Sequence, residues 1–199
     1  MNAKFFDLKQ DKQDRMINAA LKVFALNGYT HASTDEIVKE AHISKGLLFH
    51  YFESKIGAYA FVYDYAARYM ALEFSTAVDP SETSYMTIRK QMEAAKLQTL
   101  KNYPYMQLFL SRCEKETCPE ALLSIESNRR AYDNSVGTFL ARADMNALKT
   151  NDKSYRYLKM LDCTLDAIME EKFREDSFSA DEYYSEAIEY MNIVEGLMK

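Results

Sequence analysis

The stretch STDEIVKEAHISKGLLFHYFESK, residues 33–55, decides how this chain is read. Ser33-Thr34-Asp35-Glu36 is a capping box, in which a serine hydroxyl and a glutamate carboxylate three residues apart satisfy each other's orphan amides and start a helix. That helix is predicted to be short, ending near Ala41, with a tight turn at His42-Ile43. Ser44 then caps a third helix reaching Phe52, and Ser54 caps a long fourth one. On the third helix Leu48 and Phe52 stand four apart and face inward with Ile37 and Ile43, which leaves Lys45, Gly46, Phe49 and His50 on the outer side.

Two short helices joined by a tight turn and braced by a longer preceding helix form the pattern of a helix-turn-helix DNA reader. The outward residues fit that use. A glycine lets backbone approach DNA closely, an aromatic ring can meet a thymine methyl or a sugar, and a lysine can bond guanine acceptors. Lys55 and the amides that open the fourth helix can hold a phosphate.

Outward from this stretch the pattern stays helical. The bracing helix is expected from roughly Asp11 to Asn27, with Ile17, Ala20, Leu21 and Phe24 on one face and Gly28 as its left-handed stop. The fourth helix reaches toward Ala77. After Asp79-Pro80, segments of about 81–101, 104–116, 119–142, 153–175 and 180–198 follow, marked by Pro104, Pro119 and a second capping box at Ser179–Glu182. With 199 residues, 48% of them apolar, and only five glycines and three prolines, the chain is expected to be all-α. About nine helices are expected, divided into a DNA-binding domain over 1–55 and a larger domain over 56–199.

Residues 1–55 carry eight Lys/Arg against seven Asp/Glu, and residues 56–199 carry seventeen against twenty-three. So weak a positive balance gives a single head little counterion-release affinity, and useful binding then requires two heads on one duplex, that is, a homodimer. Three cysteines without metal-ligand spacing fit a reducing compartment. With no leader-like start and no long apolar run, the expectation is a cytoplasmic protein without membrane association.

Residues from about 10 to 60, with "AALKVFALNGY", "ST..EIVKEA" and "ISKGLLFHYFESK", resemble the amino-terminal domain of the TetR family of bacterial transcriptional regulators. Thr34, Ile37, Ala41, Ile43, Ser44, Lys45, Gly46, Leu48, Tyr51, Phe52, Ser54 and Lys55 stand where that family's pattern places them. The resemblance implies that Thr34 and Lys55 bind phosphates with Tyr51 beside them, while Lys45, Gly46, Leu47, Phe49 and His50 face base edges or sugars. It also implies a carboxy-terminal domain that dimerises and binds small ligands, and hence a repressor released from a pseudo-palindromic operator by a small molecule. Three positions depart from the pattern. His42 occupies a turn site usually given to glycine, at a cost on the order of 1 kcal/mol; Phe49 replaces a tyrosine; and Gly57 replaces an acidic residue, weakening the start of the fourth helix.

In the larger domain, Leu158, Leu161, Leu165 and Ile168 on one helix and Tyr184, Ala187, Ile188, Met191 and Val194 on the next recur at bundle spacing, so two such hairpins from two chains can form a four-helix dimer interface. Met92, Tyr103, Met106, Phe109, Arg112, Cys113 and Tyr132 supply the adaptable apolar groups and few polar ones that a pocket for an apolar or amphipathic ligand needs. Helical phase puts Phe109, Arg112 and Cys113 on one side. Cys113 and Cys118 also invite a redox reading, opposed by the tendency of buried cysteine to act as a small hydrophobe.

Catalysis is not expected, nor a cofactor or metal. All three histidines, His31, His42 and His50, fall in the first 50 residues, so the larger domain has no Glu-x-x-His pair and no histidine base. The competing readings are a helical interaction protein that keeps the head without binding DNA and, behind it, an α-helical enzyme.

Overall fold

The computed structural model describes residues 3–144, 153–174 and 178–198, and among them every regular element is helical. A short 3-10 helix, Ala3–Asp7, precedes α1 (Gln10–His31), α2 (Thr34–Ala41), α3 (Lys45–Phe52), α4 (Lys55–Ala77), α5 (Tyr85–Asn102), α6 (Met106–Glu114), α7 (Pro119–Leu140), α8 (Ser154–Arg174) and α9 (Ala180–Met198). The helices expected from the sequence are all present, with shifted ends where side chains compete for the backbone. α5 begins four residues late because Asp79 accepts from the Ser81 amide and hydroxyl, Glu82 accepts from the Thr83 and Ser84 amides, and Ser84 then caps the helix at the Thr87 amide. Pro104 lies in the turn before α6, whereas Pro119 is the first residue of α7.

The chain forms two compact units, the first from residues 1–69 and 103–132, the second from 70–102 and 133–199. In the first unit α1 packs against α2 and α6. Its core is Met16, Ile17, Ala20, Leu21 and Phe24 from α1, Ile37 from α2, Leu48 from α3, Ala58, Tyr59 and Val62 from α4, and Met106 and Phe109 from α6, all at most 2% exposed. Tyr59 is its hub, with ring centroids 5.1 Å from Phe24, 5.2 Å from Tyr29 and 5.6 Å from Phe109. Each such side chain contributes roughly 1.5–3 kcal/mol by leaving water.

In the second unit α9 packs on α5 and α8. Ile88, Met92 and Ala95 of α5 meet a core completed by Leu161, Leu165, Ala187 and Met191. Two ion pairs cross it, Arg89 to Asp162 and Lys90 to Glu195, each at 2.7 Å. No helix among the described residues is long and apolar enough to cross a membrane.

Candidate nucleic-acid interface

Local chemistry builds the α2–α3 corner. Ser33 Oγ accepts from the Asp35 amide at 3.2 Å, while the Glu36 carboxylate accepts from Asn27 Nδ2 at 3.5 Å, so only the serine half of the capping box forms. α2 ends on His42 in the left-handed conformation, φ 52° and ψ 50°. The Ile43 amide reaches Val38 O at 3.1 Å and the His42 amide reaches Lys39 O at 3.3 Å, the two bonds of a Schellman stop. Histidine in place of glycine therefore leaves the turn regular and strained by about 1 kcal/mol, not distorted. Ser44 Oγ accepts from the Leu47 amide at 3.2 Å and starts α3.

With Leu48 and Phe52 buried, α3 turns Lys45, Gly46 and His50 outward, exposed, and leaves Leu47, Phe49 and Tyr51 half-buried; Thr34, first residue of α2, is half-buried too. A side chain at Gly46 would meet nothing within 4 Å. The fold does not require glycine there, and the bare backbone is open to whatever approaches this flank. Lys45 Nζ is paired with Asp35 at 2.8 Å, both ends exposed, an interaction worth under about 1 kcal/mol and readily exchanged for another anion.

Lys55 is placed differently from the other cations. Its Nζ donates to the carbonyls of Thr30 and Ala32, at 3.2 and 3.1 Å, and lies 4.5 Å from the Tyr29 ring centroid. Tyr29 follows Gly28, whose φ of 66° and ψ of 176° belong to a region open to glycine alone, so the helix kinks there instead of stopping in the left-handed conformation. The Tyr29 amide donates to Glu116 Oε2 at 3.2 Å and its hydroxyl to Glu120 Oε2 at 3.1 Å. Glu116 also accepts from the amides of Thr117 and Cys118, at 2.9 and 2.8 Å. Burial opposes ionisation of Glu116, but the three amides outweigh it and hold its carboxyl below the usual range; burial, then the Glu120 carboxylate, push the Tyr29 hydroxyl up to about 12. This clamp joins residues 87 and 91 apart in sequence, and no local pattern announced it.

The α3–α4 junction is equally constrained. Glu53 has φ 64° and ψ −40°, and the Ser54 amide returns to Phe52 O at 2.7 Å, a γ-turn strained by about 1–3 kcal/mol for a non-glycine residue. Ser54 Oγ accepts from the Gly57 amide at 3.1 Å, as an N-cap should. A Cβ on Gly57 would stand 2.0 Å from Phe52 O, so glycine at this departure from the family pattern is a steric requirement of the corner.

The residues expected to line a ligand pocket are divided. Tyr103, Met106, Phe109, Arg112, Cys113 and Tyr132 fall in the first unit and Met92 in the second. Arg112 is exposed while Phe109 and Cys113, on the same side of α6, are buried. Tyr59 donates to Cys113 Sγ at 3.1 Å, and burial pushes that thiol up to about 12, which removes the thiolate a redox role needs. Tyr103 donates to Asp14 and meets the Tyr65 hydroxyl, each at 2.8 Å.

Of the expected dimer stripe, Leu161, Leu165, Ile168, Ala187, Met191 and Val194 are buried within their own unit, and Leu158, Tyr184 and Ile188 are half-buried. The apolar residues these helices leave exposed are others: Tyr155 and Met160 on α8, Tyr190, Ile193 and Leu197 on α9. Periodicity located the apolar stripes; within the chain α9 packs on both α5 and α8. Among the described residues no group of three or more His, Cys, Asp or Glu could hold a metal.

Residues 16–57 match the family model described as bacterial regulatory proteins, tetR family. The head is similar to the TetR-family helix-turn-helix domain. Over 46 residues the chain is 48% identical to an uncharacterized HTH-type transcriptional regulator, YuxN, of Bacillus subtilis strain 168, a match covering 23% of this chain and 16% of that protein. The TetR-like fold extends beyond the head. The fatty acid degradation regulator FadR from Bacillus halodurans is similar with a TM-score of 0.65 at 18% identity, covering 94% of this chain and 96% of that one. A tetR family transcription regulator from Shewanella sp. PV-4 gives 0.60 at 17% identity, covering 96% of each.

Proposed function

We propose that this protein is a cytoplasmic, homodimeric transcriptional repressor whose heads, residues 1–55, hold a pseudo-palindromic operator until a small apolar or amphipathic molecule binds the remainder of the chain. The exposed flank of α3 carries this reading: Lys45, bare Gly46 and His50, with Leu47, Phe49 and Tyr51 beside them, offer a major groove cationic, backbone and apolar contacts. Thr34 and Lys55 serve phosphates, Lys55 through the N–H it does not give to Thr30 and Ala32. The dimer seam uses the exposed residues of α8 and α9, above all Tyr190, Ile193 and Leu197, together with half-buried Leu158, Tyr184 and Ile188. A ligand acts by binding one arrangement of the two heads better than the other.

Selection from a random duplex pool at low salt tests this. The expected product is a pseudo-palindrome with half-sites one helical turn, or a multiple, apart. The engagement of Lys45 by Asp35 and of Lys55 by two carbonyls favours the second reading, a helical interaction protein; failure to enrich any sequence would decide for it.

A further inference from the structure

We infer that Asp35 reads a base: together with Lys45 it presents a joined donor and acceptor to one G·C base pair in each half-site, the ammonium on guanine and the carboxylate on the amino group of cytosine. The inference rests on the DNA-binding reading above and adds to it a specificity-determining residue outside the recognition helix. α2 carries three carboxylates, and they do not point the same way. Glu36 accepts from Asn27 Nδ2 at 3.5 Å and Glu40 pairs with Lys22 Nζ at 2.7 Å, so both turn back onto α1. Asp35 turns across the corner to α3, with its Oδ1 2.8 Å from Lys45 Nζ. Capping does not hold it there, because the capping bond of α2 joins the Asp35 amide to Ser33 Oγ and leaves the Asp35 carboxylate out.

Position decides what the pair can meet. Lys45 is the first residue of α3, and the opening residues of a recognition helix are those that reach base edges. Asp35 follows Thr34, at the end of α2 assigned to a phosphate, and Gly46 beside Lys45 has no side chain to hold the backbone off the groove. Both partners stay largely in solvent, the lysine side chain 52% exposed and the aspartate 68%. Were Lys45 to leave for a phosphate, a bare carboxylate would stand against a polyanion, in a head where eight Lys/Arg face seven Asp/Glu. A groove-facing carboxylate needs an amino group, and cytosine N4 is the donor that Asp and Glu accept from. In a G·C pair guanine O6 and cytosine N4 are themselves hydrogen-bonded, about 2.9 Å apart. That spacing matches the 2.8 Å between Nζ and Oδ1. Guanine N7 then takes a second N–H of the ammonium. An A·T pair is the poorer match: it offers the carboxylate adenine N6 but sets one acceptor, thymine O4, and a methyl group before the ammonium.

The test uses the full-length protein and the duplex the wild type selects, with all four base pairs placed in turn at each position of the half-site. The wild type is expected to favour G·C at one position per half-site by roughly tenfold or more. Asp35→Ala should lose that preference and no other, weaken the selected duplex roughly ten- to hundredfold over the two heads, and keep the slope of log affinity against log salt, since no phosphate contact goes. Lys45→Ala should relax the same position, and the Asp35→Ala/Lys45→Ala variant should discriminate there no worse than either single variant, as expected of groups acting as one. Asp35→Asn keeps the side chain's shape where alanine would unsettle the first turn of α2, and it should likewise lose the preference for G·C, because asparagine bonds adenine N6 and N7. If Asp35→Ala instead binds selected and unrelated duplexes more tightly, with a steeper salt slope, the carboxylate is only a screen on Lys45 and the inference is overturned; an unchanged base preference overturns it too. In both cases the reading beneath it stands while Lys45→Ala weakens binding. If the wild type binds no duplex at low salt, both fall.

Discussion

Replacing Glu116 by alanine should weaken DNA binding, although the residue precedes α7 and lies outside the head. Its carboxylate is the acceptor for the amides of Tyr29, Thr117 and Cys118 at 2.8–3.2 Å. Hydrogen bonds to a charged group are worth about 1.5–3 kcal/mol each, but this half-buried carboxylate competes with water, so a total loss of about 2–3 kcal/mol is expected in chemical denaturation. Loosening Tyr29 frees the turn whose carbonyls hold Lys55, and affinity should fall about tenfold with the salt slope unchanged, since no phosphate contact is removed. The clamp also fixes a pH dependence. The Glu116 carboxyl is depressed in the folded protein, so its contribution is complete above the ordinary carboxylate pKa and is lost as pH falls through the depressed value. Tyr29 is raised to about 12, so its contribution is complete below the ordinary tyrosine value near 10 and is lost as pH rises toward about 12. Glu116→Ala should flatten the acid limb alone. A variant with wild-type stability and affinity would refute the clamp.

Other substitutions probe other parts of the construction. Gly57→Ala places a methyl against Phe52 O and should cost about 1–3 kcal/mol in denaturant melts, with a larger proportional loss of DNA affinity because the α3–α4 corner must shift. His42→Gly relieves a left-handed histidine and should stabilise the protein by roughly 0.5–1 kcal/mol without altering DNA affinity. Ile193→Glu puts a charge on the exposed face of α9 and should convert the dimer to monomer in sedimentation while leaving helicity intact; a persisting dimer would move the seam elsewhere.

Helices and their order could be read from the sequence because capping serines, Gly28 and the apolar spacing are local signals. Of the inward set read from the sequence, Ile37, Leu48 and Phe52 are buried and Ile43 is half-buried. Legibility ended where a partner distant in sequence decided the outcome. Nothing local told that Lys55 would reach back to Thr30 and Ala32, that Glu116 and Glu120 would grip Tyr29, or that Gly57 would face a carbonyl. Spacing marked apolar stripes on α8 and α9 but could not show which of their residues the chain itself covers. Phe5-Phe6 was visible as an aromatic pair near the start, without a periodic frame to assign its direction.

The central claim is that the outer flank of α3 enters the major groove. Its most direct measurement is the affinity of a Lys45→Ala/Phe49→Ala double variant, checked for wild-type melting, for the duplex the wild-type protein selects. The account predicts a loss of roughly a hundredfold or more, from about 1–3 kcal/mol per lost contact in each of two heads. Wild-type affinity in a folded double variant would contradict it.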